Sequence, residues 1–538
     1  MPDPGPEAIL RYHEATKHHP ERYARSLGYM DWANQPAPFR FYAGVPSLPL
    51  PLLARDPAVG YRGLYAAPAA AEPFDLDRIA GFLELSLGLS AWKSASGSRW
   101  ALRINPSSGN LHPTEAHLIL PPMGGAAGGV FHYDPLHHAL ERRAVLPDPL
   151  SARLFAPEAG GGFYVGLTSI FWREAWKYGE RAFRYCNHDV GHALAALRFS
   201  ANLLGWGLTC LNHLGDAAVA SLLGLDAAPF PAGDEEHPDL LCRIHPYGAP
   251  PAGPWPDELV EAFSRLDFQG RPNRLSGEHV DWEIIPRAAE AARKPSTAPQ
   301  PIRLPERPPP DGTDSPLTAA AVIRRRRSAT GFDRRGGISR SRFLSILART
   351  LPRPGMAPFD AGLGEPALHL VIFVHQVEEL QPGLYAFIRD DHDLPPLRAL
   401  TRPEFAWTPV APGFPLYLLA PGNLRSTAAM LSCHQEIAGE SAFSLGMLAR
   451  FGESVRREPF RYRQLFWESG MIGQVLYLEA EACGLRGTGI GCFFDNLVHD
   501  LMGLETDAFQ SLYHFTVGAP LEDPRVSTLP PYGHLEGR

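Results

Sequence analysis

Nothing in this chain of 538 residues approaches the ~20 consecutive apolar residues that a membrane-spanning helix needs. The opening stretch, MPDPGPEAILRYHEATKHHPERYARS, is polar and has no apolar core, so it predicts no signal peptide. Cysteine is scarce: Cys186, Cys210, Cys242, Cys433, Cys483 and Cys492 are the only six, and none forms a CxxC pair. That scarcity predicts a reducing, cytoplasmic compartment with thiols serving as small apolar residues, and it disfavours a metal site. Positive charge is not in excess either. The formal net charge of −8 argues against non-specific affinity for nucleic acid. No GxGxxG follows a strand-like run, so no Rossmann dinucleotide site is indicated.

Apolar residues, at 45%, are ample for large cores, and the length suggests two or more domains. Pro286 to Pro316 is proline-rich without apolar periodicity and reads as a semi-stiff linker. Residues 1–70 carry many prolines and aromatics and predict an extended arm packed on a domain. That leaves residues 71–285 and 317–538 as two domains.

The two domains repeat. GHALAALRFSANLLGWGLTCLNHLGDAAVASLLGLD from Gly191 aligns without a gap to GMIGQVLYLEAEACGLRGTGIGCFFDNLVHDLMGLE from Gly470. Gly191, Leu197, Ala201, Gly205, Thr209, Asp216, Leu222, Gly224 and Leu225 fall on identical residues 279 positions later. Upstream, AFRY (Ala182 to Tyr185) echoes PFRY (Pro459 to Tyr462) with two extra residues in the second copy. Each copy reads as a helix, a Gly-rich turn, a short strand and an amphipathic helix. FDLDRIAGFLELSLGL then AHLIL parallels GISRSRFLSILARTL then ALHLVIFV. The pattern is mixed α+β, with strands separated by helices of irregular length rather than strict βαβ alternation. It predicts two tandem copies packed as an intramolecular pseudo-dimer, for which a monomer is feasible.

The copies differ in what they keep. The second has RRRRSATGF at an apparent helix start, a turn LRGTGIG whose glycines free backbone N–H groups to face an anion, and GAPLEDPR after the last strand. The first lacks these but has RINPSSGNLHPTE, a turn dense in hydrogen-bonding groups. Plain alternatives stand beside both: a solvated basic helix start and a surface loop. One composite site at the interface of the copies accounts for the split, with a phosphate on one side and a flat polar ring on the other.

These motifs resemble the nitroreductase family of FMN enzymes, with its Arg-Arg-Ser, its Pro-Ser-Ser/Ala-x-Asn turn and its Gly-rich loop after a helix. RINPSSGNLHPTE and WKYGERAFRYCNHDVGH further resemble the SagB/ThcOx-type branch, the azoline dehydrogenases of peptide natural-product pathways. The resemblance implies a nitroreductase-like fold and FMN as cofactor. Arg326, Arg327 and Ser328, with Arg486, Gly487, Thr488, Gly489, Ile490, Gly491 and Arg525, would hold the phosphate. Pro106, Ser107, Ser108, Gly109 and Asn110 would bind the pyrimidine edge, with Arg103 placing positive charge beside it. Lys177 and Tyr178 match the branch's catalytic pair, and a cation beside tyrosine would lower its pKa. The bland reading of that pair is a helix end with a solvated Lys and a half-buried Tyr. His112 and Glu115 are secondary candidates. His188, Asp189 and His192 fit a helix start with an Asp cap better than a metal site, and Ser432 to Glu436 offers a Cys–His pair with no oxyanion motif.

Three functions are consistent with this reading. The first is an FMN-dependent dehydrogenase acting on a heterocycle or peptide-derived substrate with O2 as electron acceptor. The second is an NAD(P)H-dependent nitro or quinone reductase. The third is a flavin-binding pseudoenzyme. None requires a metal, nucleic acid or a membrane.

Overall fold

The computed structural model describes residues 5–68, 70–155, 161–249, 253–308 and 315–536. Among these no helix is long and apolar enough to cross a membrane. The chain starts with helix α1 (Pro6–Ala15), so the N-terminal arm is partly helical rather than wholly extended. Short strand β1 (Ser47–Pro49) follows, then helix α2 (Leu76–Glu84), capped by the Asp75 carboxylate accepting the Arg78 N–H at 2.9 Å. A hairpin of β2 (Leu89–Ala95) and β3 (Ser98–Arg103) leads through the PSSGN turn into β4 (Thr114–Leu120), β5 (Gly129–Asp134), β6 (Ala139–Val145) and β7 (Phe163–Ser169). Helix α3 (Phe171–Tyr178), long helix α4 (Ala182–Leu203), β8 (Trp206–Cys210), α5 (Asp216–Leu223) and β9 (His237–Pro246) complete the first half.

The second half opens with α6 (Ala319–Arg325) and α7 (Arg340–Arg349). Strands β10 (Leu368–Val374), β11 (Gly383–Phe387), β12 (Thr408–Ala411), β13 (Phe414–Pro421) and β14 (Phe443–Arg450) come next. Long helix α8 (Arg461–Ala482), β15 (Arg486–Ile490), α9 (Asp495–Met502) and β16 (Phe509–Gly518) follow, and β17 (Ser527–Leu529) returns to pair with β2.

Two antiparallel seven-stranded sheets result, ordered β1-β6-β5-β4-β7-β9-β8 and β12-β13-β11-β10-β14-β16-β15. Six strands follow the same order in both sheets; the seventh, at the edge, differs, being Ser47–Pro49 of the N-terminal arm in the first sheet and Thr408–Ala411, between β11 and β13, in the second. The central strands, LHLVIFV in β10 for one, are buried along their whole length because helices cover both faces. One apolar core runs through both halves around the two long helices, and a smaller core lies under each outer face. The layered α+β architecture is the nitroreductase-like fold in two copies.

The copies meet across a pseudo-twofold axis, and the contacts are reciprocal, as in a symmetric dimer. Helices α4 and α8 begin and end 279 residues apart in sequence. They cross at Gly191 and Gly470. A Cβ at Gly191 would lie 2.1 Å from the Trp467 carbonyl oxygen, and one at Gly470 would lie 2.2 Å from that of His188. Arg184 on α4 bonds Asp495 at 2.8 Å, and Arg463 on α8 bonds Asp216 at 2.7 Å. The AFRY–PFRY echo is therefore out of step: Arg463, not Arg461, is the counterpart of Arg184.

Three other expectations change. LRGTGIG is not a turn: Arg486–Ile490 is the edge strand β15. RRRR lies at the C-terminal end of α6, where cations suit the helix dipole, so the cluster needs no anion to explain it. His188, Asp189 and His192 are buried in the interior of α4, not at its start. The proline-rich linker begins inside a helix, Ile284–Ala291, and then packs on the first half, with Lys294 N–H on the Asp216 carboxylate and Thr297 N–H on the His213 carbonyl, both at 2.9 Å. Its residues 309–314 lie outside the described residues.

Candidate functional site

A cavity of about 740 Å³ opens between the two halves. The first half lines it with the PSSGN turn, Asn105 and the β2–β3 hairpin. The second half contributes the segment after α6, strand β15, Gly491, Cys492 and the C-terminal Leu521 to Asp523. The volume lies within the range of cofactor and ligand pockets, roughly 300–1,000 Å³.

The turn is rigid because its polar groups bond inward. Ser108 donates its N–H and Oγ to Asp189 Oδ1, both at 3.0 Å. Ser107 Oγ accepts the His112 N–H at 2.7 Å. Asn110 Nδ2 donates to the Ala101 carbonyl at 2.9 Å, and its Oδ1 faces His112 Nε2 at 3.0 Å. Gly109 and Asn110 both take left-handed backbone, φ 57° and 60°. The Ser108 and Asn110 side chains are thus not free to bind a ring edge as the motif implies. The free acceptor is Asn105, which lines the cavity with a buried Oδ1 that has no partner.

Arg103 also departs from expectation. Its guanidinium turns into the protein, donating to the Pro38 carbonyl at 2.7 Å and the Thr114 carbonyl at 3.3 Å. Arg326 is a clamp: Nε donates to the Ile104 carbonyl at 3.0 Å and Nη2 to the Arg103 carbonyl at 3.1 Å. It ties the second half to the backbone of the first half's turn. Glu115 is held by Arg173 and by His132 at 3.1 Å, away from the cavity.

Positive charge gathers at the other end. Arg327, Arg486 and Lys93 line the cavity there; Glu522 pairs with Arg486 Nη1 at 2.6 Å, and Arg327 donates to the Arg324, Arg326 and Ser90 carbonyls at 2.9, 2.7 and 3.2 Å. Burial, then Arg326 and Arg486, pushes Arg327 down to about 10. Burial, then Arg327 and Arg486, also lowers Lys93. Such crowding is what a bound anion relieves. Ser328 Oγ lies 2.9 Å from the Tyr477 hydroxyl, which accepts the Gly489 N–H at 3.0 Å. Arg525 does not join: it is exposed on the far side of its loop, paired with Asp523 at 2.8 Å.

The glycines of β15, and Gly491 just after it, answer to aromatic neighbours. A Cβ at Gly487 would meet the Phe515 ring at 2.6 Å. At Gly489 it would meet the Tyr513 hydroxyl at 1.9 Å, and at Gly491 the Tyr185 ring at 1.9 Å. Their counterparts in the first half are Leu208, Cys210 and Asn212. The equivalent space there is filled by protein. Asn212 Nδ2 donates to the Leu363 carbonyl at 3.0 Å, Arg198 grips Asp360 at 2.7 Å, and Trp206 is fully buried.

Lys177 and Tyr178 end α3 against the turn. A Cβ on Gly109 would lie 2.7 Å from the Tyr178 hydroxyl and 3.2 Å from Lys177 Nζ. Burial, followed by the neighbouring Glu174, Tyr185 and Asp189, raises the Tyr178 phenol well above its usual value. The adjacent lysine does not lower it, because desolvation and carboxylates outweigh one cation. Burial raises Asp189 to about 7 against its serine bonds. Asn105 sits inside the motif itself and Tyr185 inside AFRY, whereas Lys93, Tyr477 and Tyr513 carry no sequence signal.

Comparisons with known proteins bear on the family pattern and the fold. Residues 323–519 match the model of the nitroreductase family. The crystal structure of a protein from Anabaena variabilis, described as a nitroreductase, superposes with a TM-score of 0.69 at 21% identity, covering 96% of this chain and 99% of that one. The trifolitoxin-processing protein TfxB of Rhizobium leguminosarum is 31% identical over 134 residues, 23% of this chain and 35% of TfxB. MJ1384 of Methanocaldococcus jannaschii, named for a nitroreductase, is 26% identical over 132 residues, 23% of this chain and 65% of that protein. The chain thus spans about a third and about two-thirds of the length of these two relatives. Residues 323–519 carry the sequence pattern of the nitroreductase family, and the chain as a whole has the nitroreductase-like fold.

Proposed function

We propose that this protein is an FMN-dependent oxidoreductase holding one flavin in the cavity between its halves, and that it dehydrogenates a heterocyclic or peptide-derived substrate. The observation that carries the reading is the polarity of the cavity. Cations crowd one end, and an orphaned buried acceptor, Asn105 Oδ1, stands near the rigid PSSGN turn at the other. FMN offers a matching pair of groups, a phosphate and a ring with an N–H donor. Arg327, Arg486 and Lys93 would hold the phosphate, and Asn105 with the turn would face the ring. The bound flavin would supply two-electron acceptor chemistry. The filled space at the equivalent position of the first half supports one flavin per chain rather than two.

Within the cavity, Tyr178 keeps its proton at neutral pH and serves as a hydrogen-bond or proton donor. Lys177 holds a positive charge beside it, 5.2 Å from the ring centroid. The similarity to a trifolitoxin-processing protein and the branch motifs support dehydrogenation within a processing pathway.

Titration of the flavin-free chain with FMN, read by quenching of flavin fluorescence, tests the cradle. Arg327→Ala and Arg486→Ala should each weaken binding by about 10- to 100-fold, the loss of one charge-assisted contact of ~1.5–3 kcal/mol. Riboflavin, which has no phosphate, should bind weakly and be indifferent to both. Unchanged FMN affinity in both variants would refute the assignment. The second reading, NAD(P)H-dependent nitro or quinone reduction, draws on the similarity to MJ1384. It predicts that Lys177→Met and Tyr178→Phe leave turnover unchanged, whereas the dehydrogenase reading predicts lost oxidation with flavin retained.

A further inference from the structure

Two thiols stand in the wall of the same cavity with no part in the reading above. Cys433 lies between helices Arg425–Leu431 and Glu436–Glu440, and Cys492 follows Gly491 at the end of β15. Both are half-buried, both line the cavity, and the Phe494 N–H on the Leu431 carbonyl at 2.8 Å holds their loops side by side. Gln435 ties the two loops together: its Nε2 donates to the Cys492 carbonyl at 3.1 Å and to the Ser432 carbonyl at 2.9 Å. Cys433 and His434 are both held in left-handed backbone, φ 53° and 59°. Non-glycine residues take that conformation at an energetic cost, and it concentrates at functional sites.

The surroundings make Cys492 the more acidic thiol. The Cys433 thiol and the His18 ring stand beside it. His18 Nδ1 accepts the Ala24 N–H at 3.0 Å, so the neutral ring carries its proton on Nε2 and can act only as a donor there. The Arg181 guanidinium, with Nη2 on the Gly491 carbonyl at 3.1 Å, adds positive charge beside the sulfur. These groups draw Cys492 below an ordinary thiol, while the neighbouring Cys492 and burial push Cys433 up. The buried carboxylate Asp495 is nearby but is spent on Arg181 and Arg184, at 3.2 and 2.8 Å.

We propose that Cys492 and Cys433 form a reversible dithiol–disulfide site that takes hydroperoxides as its two-electron oxidant, with Cys492 as the attacking sulfur and Cys433 as the resolving one. A half-buried pair inside a cavity admits a small oxidant more readily than another protein's disulfide. The Cys492 thiolate attacks one peroxide oxygen and the O–O bond breaks. Cys492 becomes a sulfenic acid, and the departing hydroxide takes up a proton to leave as water. The Cys433 sulfur then attacks the sulfenic sulfur. The S–O bond breaks, the S–S bond forms, and the hydroxyl leaves with the Cys433 proton as a second water. Two thiols thus supply the two electrons that reduce hydrogen peroxide to two waters, or an organic hydroperoxide to an alcohol and one water, and a low-molecular-weight thiol restores the pair by exchange. The site consists of protein groups alone and does not depend on what fills the rest of the cavity.

The test uses the full-length chain, pre-reduced, desalted and exposed to a few equivalents of hydrogen peroxide at neutral pH. Thiols are then counted in denaturant and disulfides mapped by peptide mass. Two of the six thiols should be lost, reversibly with dithiothreitol, and the new cross-link should join Cys433 to Cys492. Cys433→Ser should instead leave a sulfenic acid on Cys492, trapped by dimedone, and Cys492→Ser should slow oxidation about tenfold or more. A wild-type measurement stands apart from any folding defect. Alkylation by iodoacetamide should strike Cys492 first, with a pH midpoint below the ~8.5 of a free thiol. The proposal is overturned if no disulfide forms. It is equally overturned if Cys492→Ser oxidises at the wild-type rate, or if the link joins Cys210 to Cys242, whose buried sulfurs face each other at 3.4 Å across β8 and β9.

Discussion

Replacing Gly470 by alanine sets two effects of opposite sign against each other. In a helix interior alanine is favoured over glycine by about 0.5–1 kcal/mol, so propensity alone predicts a more stable protein. At Gly470, however, the added Cβ meets backbone: the His188 carbonyl oxygen at 2.2 Å, then Gly191 Cα and His192 N, both at 2.9 Å. No side chain can swing away. Restoring the 3.4 Å of an ordinary contact to that oxygen means moving the helices apart by about 1.2 Å. A gap of that order along two buried 22-residue helices forfeits a quarter to a half of each dispersion contact across the crossing. Overpacking of this kind costs about 1–3 kcal/mol or more, so the clash wins. Thermal unfolding should show the midpoint falling by roughly 1–3 °C, given the unfolding entropy of a chain this long. Gly191→Ala, its partner across the pseudo-twofold axis, should behave alike. The double variant should lose less than the sum, because one separation of the helices relieves both clashes. An unchanged or raised midpoint for Gly470→Ala would refute the close crossing.

Asp189→Asn should change how stability depends on pH. The folded carboxyl titrates near 7, above the ~3.9 of an unfolded chain, so the folded state holds a proton that the unfolded state has released. Stability therefore falls as pH rises from about 4 to about 7, by at most about 4 kcal/mol. The amide keeps an oxygen for Ser108 and cannot ionise, so denaturant midpoints at pH 4.5 and 7.5 should converge; parallel profiles for variant and wild type would count against a buried, protonated Asp189. Asp495→Ala strands the Arg181 and Arg184 guanidiniums without a carboxylate. It should cost about 3–5 kcal/mol in chemical denaturation, whereas a loss below ~1 kcal/mol would mean the cluster is solvated.

The repeat was readable because its markers are local in sequence. Helix-terminal glycines such as Gly205 and Gly484, at φ 75° and 74°, and the Asp that starts the following helix keep their spacing in both copies. The AFRY echo misled because Arg461 and Arg463 are equally good arginines on one helix, and only the partner Asp216 decides between them. RRRR looked like a helix start, although Thr318, which accepts the Ala321 N–H at 3.2 Å, already marked the start of α6 upstream. Side-chain direction was out of reach. Arg103 and Arg326 belong to the right segments, but their donors go to carbonyls of Pro38, Arg103 and Ile104 that only the folded chain brings near. The glycines of β15, with Gly491, read as an anion loop, yet what demands glycine there is the rings of Phe515, Tyr513 and Tyr185, two of them on a neighbouring strand and one in the other half.

We propose one flavin site shared between two unequal copies. Its most direct test is the absorbance spectrum of the purified chain, reconstituted with FMN and desalted, with the released flavin quantified per polypeptide. Close to one FMN per chain is expected. Two per chain would contradict the filled space around Trp206 and Asn212, and none would contradict the flavin assignment itself.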